Sequence, residues 1–201
     1  MPEIILLDSI KKPDGILLEK AILKRRSKRA KYKKSITKEA LSRLLFAAYG
    51  KTDKERIGVG WYRRAVPSAG ATYPLEFFVL IKSAKGIPEG IHYYNQRRHA
   101  LELLKDGDYS DIFANACGKY QFVADAPATI IIAAEFSRTT LRYKDRGTMY
   151  VHMEAGSAYQ NISLEAVNLG LGTVVVGEFD EEKVKGILET DFRPLCVLPV
   201  G

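Results

Sequence analysis

The sequence predicts an α+β layered domain, a sheet wrapped by helices, and three observations predict it. Two apolar runs, EFFVLIK (76–82) and ATIIIAAEF (128–136), have the length and β-branched or aromatic character of buried strands. HYY (92–94) and HALELL (99–104) flank Asn95-Gln96-Arg97-Arg98 and read as a hairpin. Around these lie segments with helical spacing of apolar residues, the longest over about 149–169.

The elements follow in order. Pro13-Asp14-Gly15 marks a turn before a helix over 16–26, with Ile16, Leu17, Ala21, Ile22 and Leu23 as its apolar stripe. A second helix spans 38–49: Thr37 is its N-cap, Leu41, Leu44, Leu45 and Ala48 its buried face, and Gly50 its stop. Residues 51–75 form a long connection carrying Trp61, Tyr62 and Tyr73, and connections of that length tend to be functional. After the first strand and the hairpin come a helix over 109–117 and the strand over 128–136. The helix over 149–169 is apolar on most sides, which suits a domain centre or a subunit interface, and Gly170-Leu171-Gly172 ends it. TVVVGEF (173–179) is expected to be a third buried strand. Asp180 then caps a short helix to about Leu188, and LCVLPV (195–200) is a last strand.

The bulk composition narrows the class. At 201 residues, without repeats or a Pro/Gly/Ser linker, the chain is expected to be one domain over 1–201 with a core that needs neither disulfides nor metal. Cys117 and Cys196 lack ligand spacing and read as reduced core thiols. The apolar patch at 4–7 is too short for a signal core and no run reaches transmembrane length, so a soluble, cytoplasmic protein without membrane contact is expected. The net charge of +7 is local: KRRSKRAKYKK (24–34) holds eight basic residues and no acidic one, and without it the chain is near neutral. That segment needs a local explanation.

Four constellations could carry chemistry. Arg25-Arg26-Ser27-Lys28-Arg29 could clamp a phosphate by charge-assisted hydrogen bonds, be a solvated helix end that complements the dipole, or contact RNA. Pro67-Ser68-Ala69-Gly70-Ala71-Thr72-Tyr73-Pro74, just before the first strand, offers small residues and hydroxyls to a flat ligand, and is otherwise a generic loop. In HMEAGSAYQN (152–161), Gly156 is tolerable where a backbone or ring packs close. His152 and Glu154 there point to different faces, so no metal pair is expected. In VVVGEFD (174–180) a strand reaches glycine at its carboxyl end, where backbone N–H groups could donate to a ring nitrogen.

Taken in order, RRSKR, PSAGATYPLEFFVL and GSAYQNISLEAVNLGLGTVVVGEFD resemble the successive motifs of the nitroreductase superfamily. The likeness is strongest to its branch of thiazoline/oxazoline dehydrogenases from modified-peptide pathways, and runs from about Ile16 to the end. The resemblance implies a central, mostly antiparallel sheet wrapped by helices and an intertwined homodimer whose two subunits share each FMN site. It implies that Arg25, Arg26, Ser27 and Arg29 meet the phosphate, ribityl chain and pyrimidine edge. Pro67, Ser68, Ala69 and Gly70 of the partner would line the isoalloxazine, the backbone of Val176, Gly177 and Glu178 would approach N5, and Gln160 of the long helix belongs to the same cofactor set. No side chain is expected to act as an obligate acid or base; Tyr62, Tyr73 and Trp61 are candidates to stack on the acceptor.

Relatives commonly continue to a basic phosphate contact beyond the point where this chain ends. Either the phosphate is held less tightly, or Arg193 or a residue of the first cluster substitutes. The activity implied is ping-pong transfer of two electrons from NADH or NADPH to a small organic acceptor such as a nitro compound or quinone. Alternatives are a dehydrogenase or oxidase of a small or peptide substrate, a non-catalytic flavin-binding protein, and a basic nucleic-acid-binding module. The last is disfavoured because it leaves three of the four motifs without a role.

Overall fold

Every residue from Leu75 to Ile81 is buried, and the reason is that both faces of the sheet they occupy are covered. The computed structural model describes residues 3–9, 15–53 and 62–201. In chain order the elements are β1 (Ile4–Leu6), α1 (Leu18–Lys24), β2 (Ile36–Thr37), α2 (Lys38–Tyr49), β3 (Leu75–Ile81), β4 (Ala84–Lys85), β5 (Gly90–Asn95), β6 (Ala100–Asp106), α3 (Ser110–Ala116), α4 (Gln121–Ala124), β7 (Ala128–Ala134), α5 (Ser137–Tyr143), α6 (Asp145–Asn168), α7 (Glu181–Leu188) and β8 (Arg193–Val200). Six strands form one antiparallel sheet in the order β1-β6-β5-β3-β7-β8, and β2 and β4 make a short parallel pair.

Alternation along the strands divides the core in two. Phe77, Val79 and Ile81 with Ile130, Ile132 and Leu198 face Leu41, Leu44 and Leu45 of α2 and Val151, Ala158 and Ile162 of α6. Phe78, Leu80, Ile131, Ala133 and Val197 face Phe113 and Val123 of α3 and α4 and Val184 and Leu188 of α7. Burying each large side chain contributes about 1.5–3 kcal/mol, so a central strand apolar on both faces holds the two helical layers together. The α+β class and the antiparallel sheet are as the sequence predicts.

Several elements differ from expectation. Residues 173–179 do not form a strand. Only Thr173 and Val176 bridge β8, at Val200 and Val197, and beyond them the chain turns away so that the Asp180 amide reaches the Ala116 carbonyl at 2.8 Å. The first helix covers 18–24 rather than 16–26. Of its expected stripe only Ala21 is buried, while Ile16, Leu17, Ile22 and Leu23 face outward. The long helix begins four residues earlier, after a break at Lys144 (φ 51°) that separates it from α5. The 4–7 patch supplies β1, an edge strand on β6. Pro13 and Asp14 of the expected turn lie outside the described residues, as does Trp61.

Cys117 and Cys196 are buried free thiols that burial pushes up to about 12, so neither is a nucleophile near neutrality. No described helix is long and apolar enough to cross a membrane.

Two histidines tie the hairpin down. His99 Nε2 meets Ser42 Oγ at 2.8 Å and its Nδ1 meets the Tyr94 hydroxyl at 2.7 Å, while Ser42 donates to the Asp8 carbonyl. His92 Nε2 meets the Pro88 carbonyl at 2.9 Å. Desolvation holds both below the ordinary histidine range, against the opposing pull of Pro88 on His92 and of Asp8 on His99. A base with a lowered folded-state pKa contributes stability that is full above its unfolded value and is lost as pH falls through the folded one. The Tm of wild type is therefore expected to fall relative to that of His99→Gln as pH is lowered from 7 to below about 6. Parallel Tm–pH curves by circular dichroism would rule this out.

Candidate functional site

The expected binding residues fall at two ends of the sheet. At one end, α1 stops at Lys24 and the cationic segment continues outside the helix, with the Lys28 amide bonding the Thr173 carbonyl at 3.0 Å and Ser27 bridging Thr173. Gly172 and Gly201 exchange backbone hydrogen bonds of 2.7 and 3.0 Å beside it. A Cβ on Gly172 would lie 2.6 Å from Lys28 Cδ, so only glycine lets the lysine stem lie down there. Arg25 is half-buried, and Ser27, Lys28 and Arg29 are exposed. Arg26 folds back, donating through Nη1 to the Leu23 and Arg25 carbonyls at 2.8 Å each, and so caps the end of α1. None of the eight cations in 24–34 forms an ion pair with a carboxylate among the described residues. Beside them the Thr173 hydroxyl is buried without a partner in the described structure.

The chain runs from this end beside β8 as far as Val176, which bridges Val197, and beyond it Gly177 and Glu178 are exposed. Glu178 accepts a hydrogen bond from the Tyr120 hydroxyl, which its carboxylate pushes above the usual tyrosine range. Arg29 exerts an opposing field on the same hydroxyl. Tyr120 stacks on Phe122, with centroids 5.2 Å apart. Arg29, Tyr120 and Glu178 therefore form one neighbourhood.

At the other end sits the 67–74 segment. Pairings run from Leu75 to Ala134 to Arg193 at this end and from Ile81 to Ala128 to Val200 at the far end. Six strand steps of about 3.3 Å place the loop and the cationic segment roughly 20 Å apart within one chain. The loop is tightly specified. Gly70, Ala71 and Tyr73 all have positive φ, at 58°, 54° and 46°, and non-glycine residues in that region mark strain at about 1–3 kcal/mol each. Arg142 and Arg138 of α5 donate to the Gly70 and Tyr73 carbonyls at 3.3 and 3.1 Å, and Thr72 Oγ1 lies 2.8 Å from Thr139 Oγ1. A Cβ on Gly70 would sit 2.5 Å from the Tyr143 hydroxyl. Pro67 and Gly70 are exposed; Ser68 and Ala69 are half-buried.

Beneath the loop lies a buried polar cluster that sequence reasoning missed. Glu154 of α6 is buried, accepts the Tyr49 hydroxyl at 2.5 Å and is hydrogen-bonded by Ser68. The Arg64 guanidinium stands over the rings of Tyr49 and Tyr73, 4.6 and 4.9 Å from their centroids. A signal existed: Glu154 is three residues after Val151 and four before Ala158, on the apolar face of the helix. His152, two residues away, is exposed and meets Phe136 edge-on, so the two do point apart.

Of the other expected residues, Tyr73 is packed edge-on against Tyr49 and under Arg64, and Tyr62 is covered by the Lys51 ammonium at 3.5 Å. Gln160 is exposed on α6. Arg193 pairs with Glu181 at 3.1 Å at the loop end of β8, seven residues before Val200. Within its own chain it therefore cannot stand in at the cationic segment.

A two-faced antiparallel sheet between two helical layers, with a cationic segment at one end and a strained small-residue loop at the other, defines an α+β domain. The chain belongs to the nitroreductase family, whose profile matches residues 22–201, and is thereby an oxidoreductase by class. It is 44% identical over 188 residues to a nitroreductase homologue of Methanocaldococcus jannaschii, covering 94% of this chain and 92% of that one. It is 26% identical over 173 residues to the microcin B17-processing protein of Escherichia coli, covering 84% of this chain but only 62% of that protein. That likeness agrees with the modified-peptide branch named from the motifs. A solved nitroreductase structure from Ralstonia eutropha superposes with a TM-score of 0.82 at 24% identity, over 98% of this chain and 88% of that one, and so shares the fold.

Proposed function

We propose that this protein is an FMN-dependent oxidoreductase that takes two electrons from NADH or NADPH and delivers them to a small organic acceptor, working as a homodimer with shared cofactor sites. The observation that carries this reading is the pairing of an unneutralised cationic segment with an unpartnered buried Thr173 hydroxyl, beside the open backbone of Gly177 and Glu178. These residues fit FMN. Arg25 and Arg29 would hold the phosphate, Ser27 the ribityl chain, and the amides of 176–178 would donate toward the ring edge. FMN, when bound, supplies the two-electron chemistry. The residues of this chain bind it, orient it and exclude water, and no acid–base side chain is required of them.

The homodimer accounts for the distance between the two ends. One chain does not bring its own 67–70 loop to its own cationic segment, whereas an antiparallel partner does. Helix α6 runs the length of the sheet, about 36 Å for its 24 residues. At its loop end Leu141, Met149 and Met153 are exposed, and at its cationic end Leu17, Leu18, Ile22 and Leu23 of α1 are exposed. A two-fold axis across α6 would set one group against the other and bury both.

A second reading, oxidation of a small or peptide substrate with oxygen as acceptor, is favoured by the likeness to the microcin-processing protein. Anaerobic mixing separates the two. FMN-loaded protein is expected to bleach at its visible flavin band on addition of NADH or NADPH and to recolour with a quinone. Failure of both nicotinamides to bleach it would move the assignment to the substrate-oxidising reading. Failure to retain FMN at all would overturn the flavoenzyme assignment.

A further inference from the structure

We propose that Glu154 is a positioning residue for the flavin-lining loop, its carboxyl joining Ser68 to Tyr49 so that the 68–75 segment is held in its binding conformation. This rests on the reading of residues 67–70 as cofactor contacts. Both ends of the segment converge on the same buried cluster. At one end the Ser68 hydroxyl bonds Glu154 and also accepts the Tyr73 amide at 2.9 Å. At the other, the Leu75 amide donates to the Tyr49 hydroxyl at 3.3 Å, and that hydroxyl in turn donates to Glu154 Oε1. Between the ends lie the left-handed residues Gly70, Ala71 and Tyr73. Such a backbone persists only where its surroundings over-determine it, and among the described residues Glu154 is hydrogen-bonded to both the Ser68 and the Tyr49 anchor.

The groups facing Glu154 are Tyr49 from α2, Ser68 from the loop, and Arg64 and Tyr73 from the connection. Burial is the largest influence on its carboxyl and pushes it above the ordinary range, against the hydrogen bonds of Ser68 and Tyr49 and the field of Arg64. Glutamine keeps the shape of the side chain and an oxygen that accepts the Tyr49 hydroxyl. A residue kept only for packing would tolerate leucine; one kept to join two hydroxyls would not.

The test compares Glu154→Leu, Glu154→Gln and Tyr49→Phe with wild type, using FMN titration by fluorescence quenching and the Tm of the apo-dimer. Glu154→Leu and Tyr49→Phe are expected to raise the Kd for FMN about fivefold to tenfold, the equivalent of a neutral hydrogen bond. Glu154→Gln is expected to stay within about threefold of wild type, and Tyr49→Phe combined with Glu154→Leu to weaken binding no further than Glu154→Leu alone. If Glu154→Leu and Tyr49→Phe bind FMN as wild type does, whatever their Tm, the positioning role is overturned while the flavoenzyme reading stands. If wild type itself binds no FMN, it is that reading which fails. If Glu154→Leu does not fold, Tyr49→Phe and Glu154→Gln decide the matter alone.

Discussion

Arg25→Ala/Arg29→Ala is expected to lose FMN affinity by roughly 10²- to 10⁴-fold. Each guanidinium–phosphate contact contributes about 1.5–3 kcal/mol, and two of them sum to that range. The fold should not change, because neither side chain is buried in the core and no ion pair within the described residues depends on it. Lys31→Ala/Lys33→Ala, of equal charge change, is the control for a long-range field and should alter the Kd less than about threefold at 0.15 M salt. The measurement is flavin fluorescence titration of apo-protein at constant ionic strength. Equal losses in the two double variants would mean that the segment attracts anions without holding the phosphate. No loss in either would remove the cationic segment from the site.

How much of this was legible in the sequence depends on the range over which each element is determined. β3, β7 and α2 were readable because their apolar patterns are local and both the strand runs and the helix cap (Thr37 accepts the Ala40 amide at 3.1 Å) announce themselves within a few residues. Residues 173–176 misled because β-branched residues mark burial beside a sheet as much as membership in it. Whether Val174 and Val175 pair is decided by β8 and by the crossing of 27–28, far away in the chain. α1 misled for a related reason: helical spacing marks a stripe but not what covers it, and among the described residues Leu17, Ile22 and Leu23 are exposed and only Ala21 is buried. The cationic segment was legible as chemistry, from eight cations in eleven residues, but not as geometry, since its attachment to Thr173 is a backbone pairing that no side chain encodes. The Glu154 cluster joins residues about 100 positions apart, with Tyr49 and Glu154 separated by 105. A single carboxylate on an apolar helix face gives its burial but not its partners.

Mixing two cofactor-deficient chains is expected to restore half of the FMN sites. One chain carries Arg25→Ala/Arg29→Ala, with its loop intact. The other carries Gly70→Val, in which a β-branched side chain is forced to φ 58° and its Cβ would meet the Tyr143 hydroxyl and the Arg142 guanidinium at 2.5 and 2.8 Å. Each homodimer should be nearly colourless. In the mixed dimer one site combines both defects, while the other joins the intact cationic segment of the second chain to the intact loop of the first. Two differently tagged chains, co-expressed and purified through both tags, should therefore bind about one FMN per dimer, with wild-type affinity at that site. The expectation follows from the roughly 20 Å between the two ends of the sheet, which a single chain does not close. If each chain instead built its own site, both sites of the mixed dimer would be defective and the preparation would stay colourless. A wild-type-like result, two FMN in each mutant homodimer, would show that neither segment is needed and would dismantle the site as assigned.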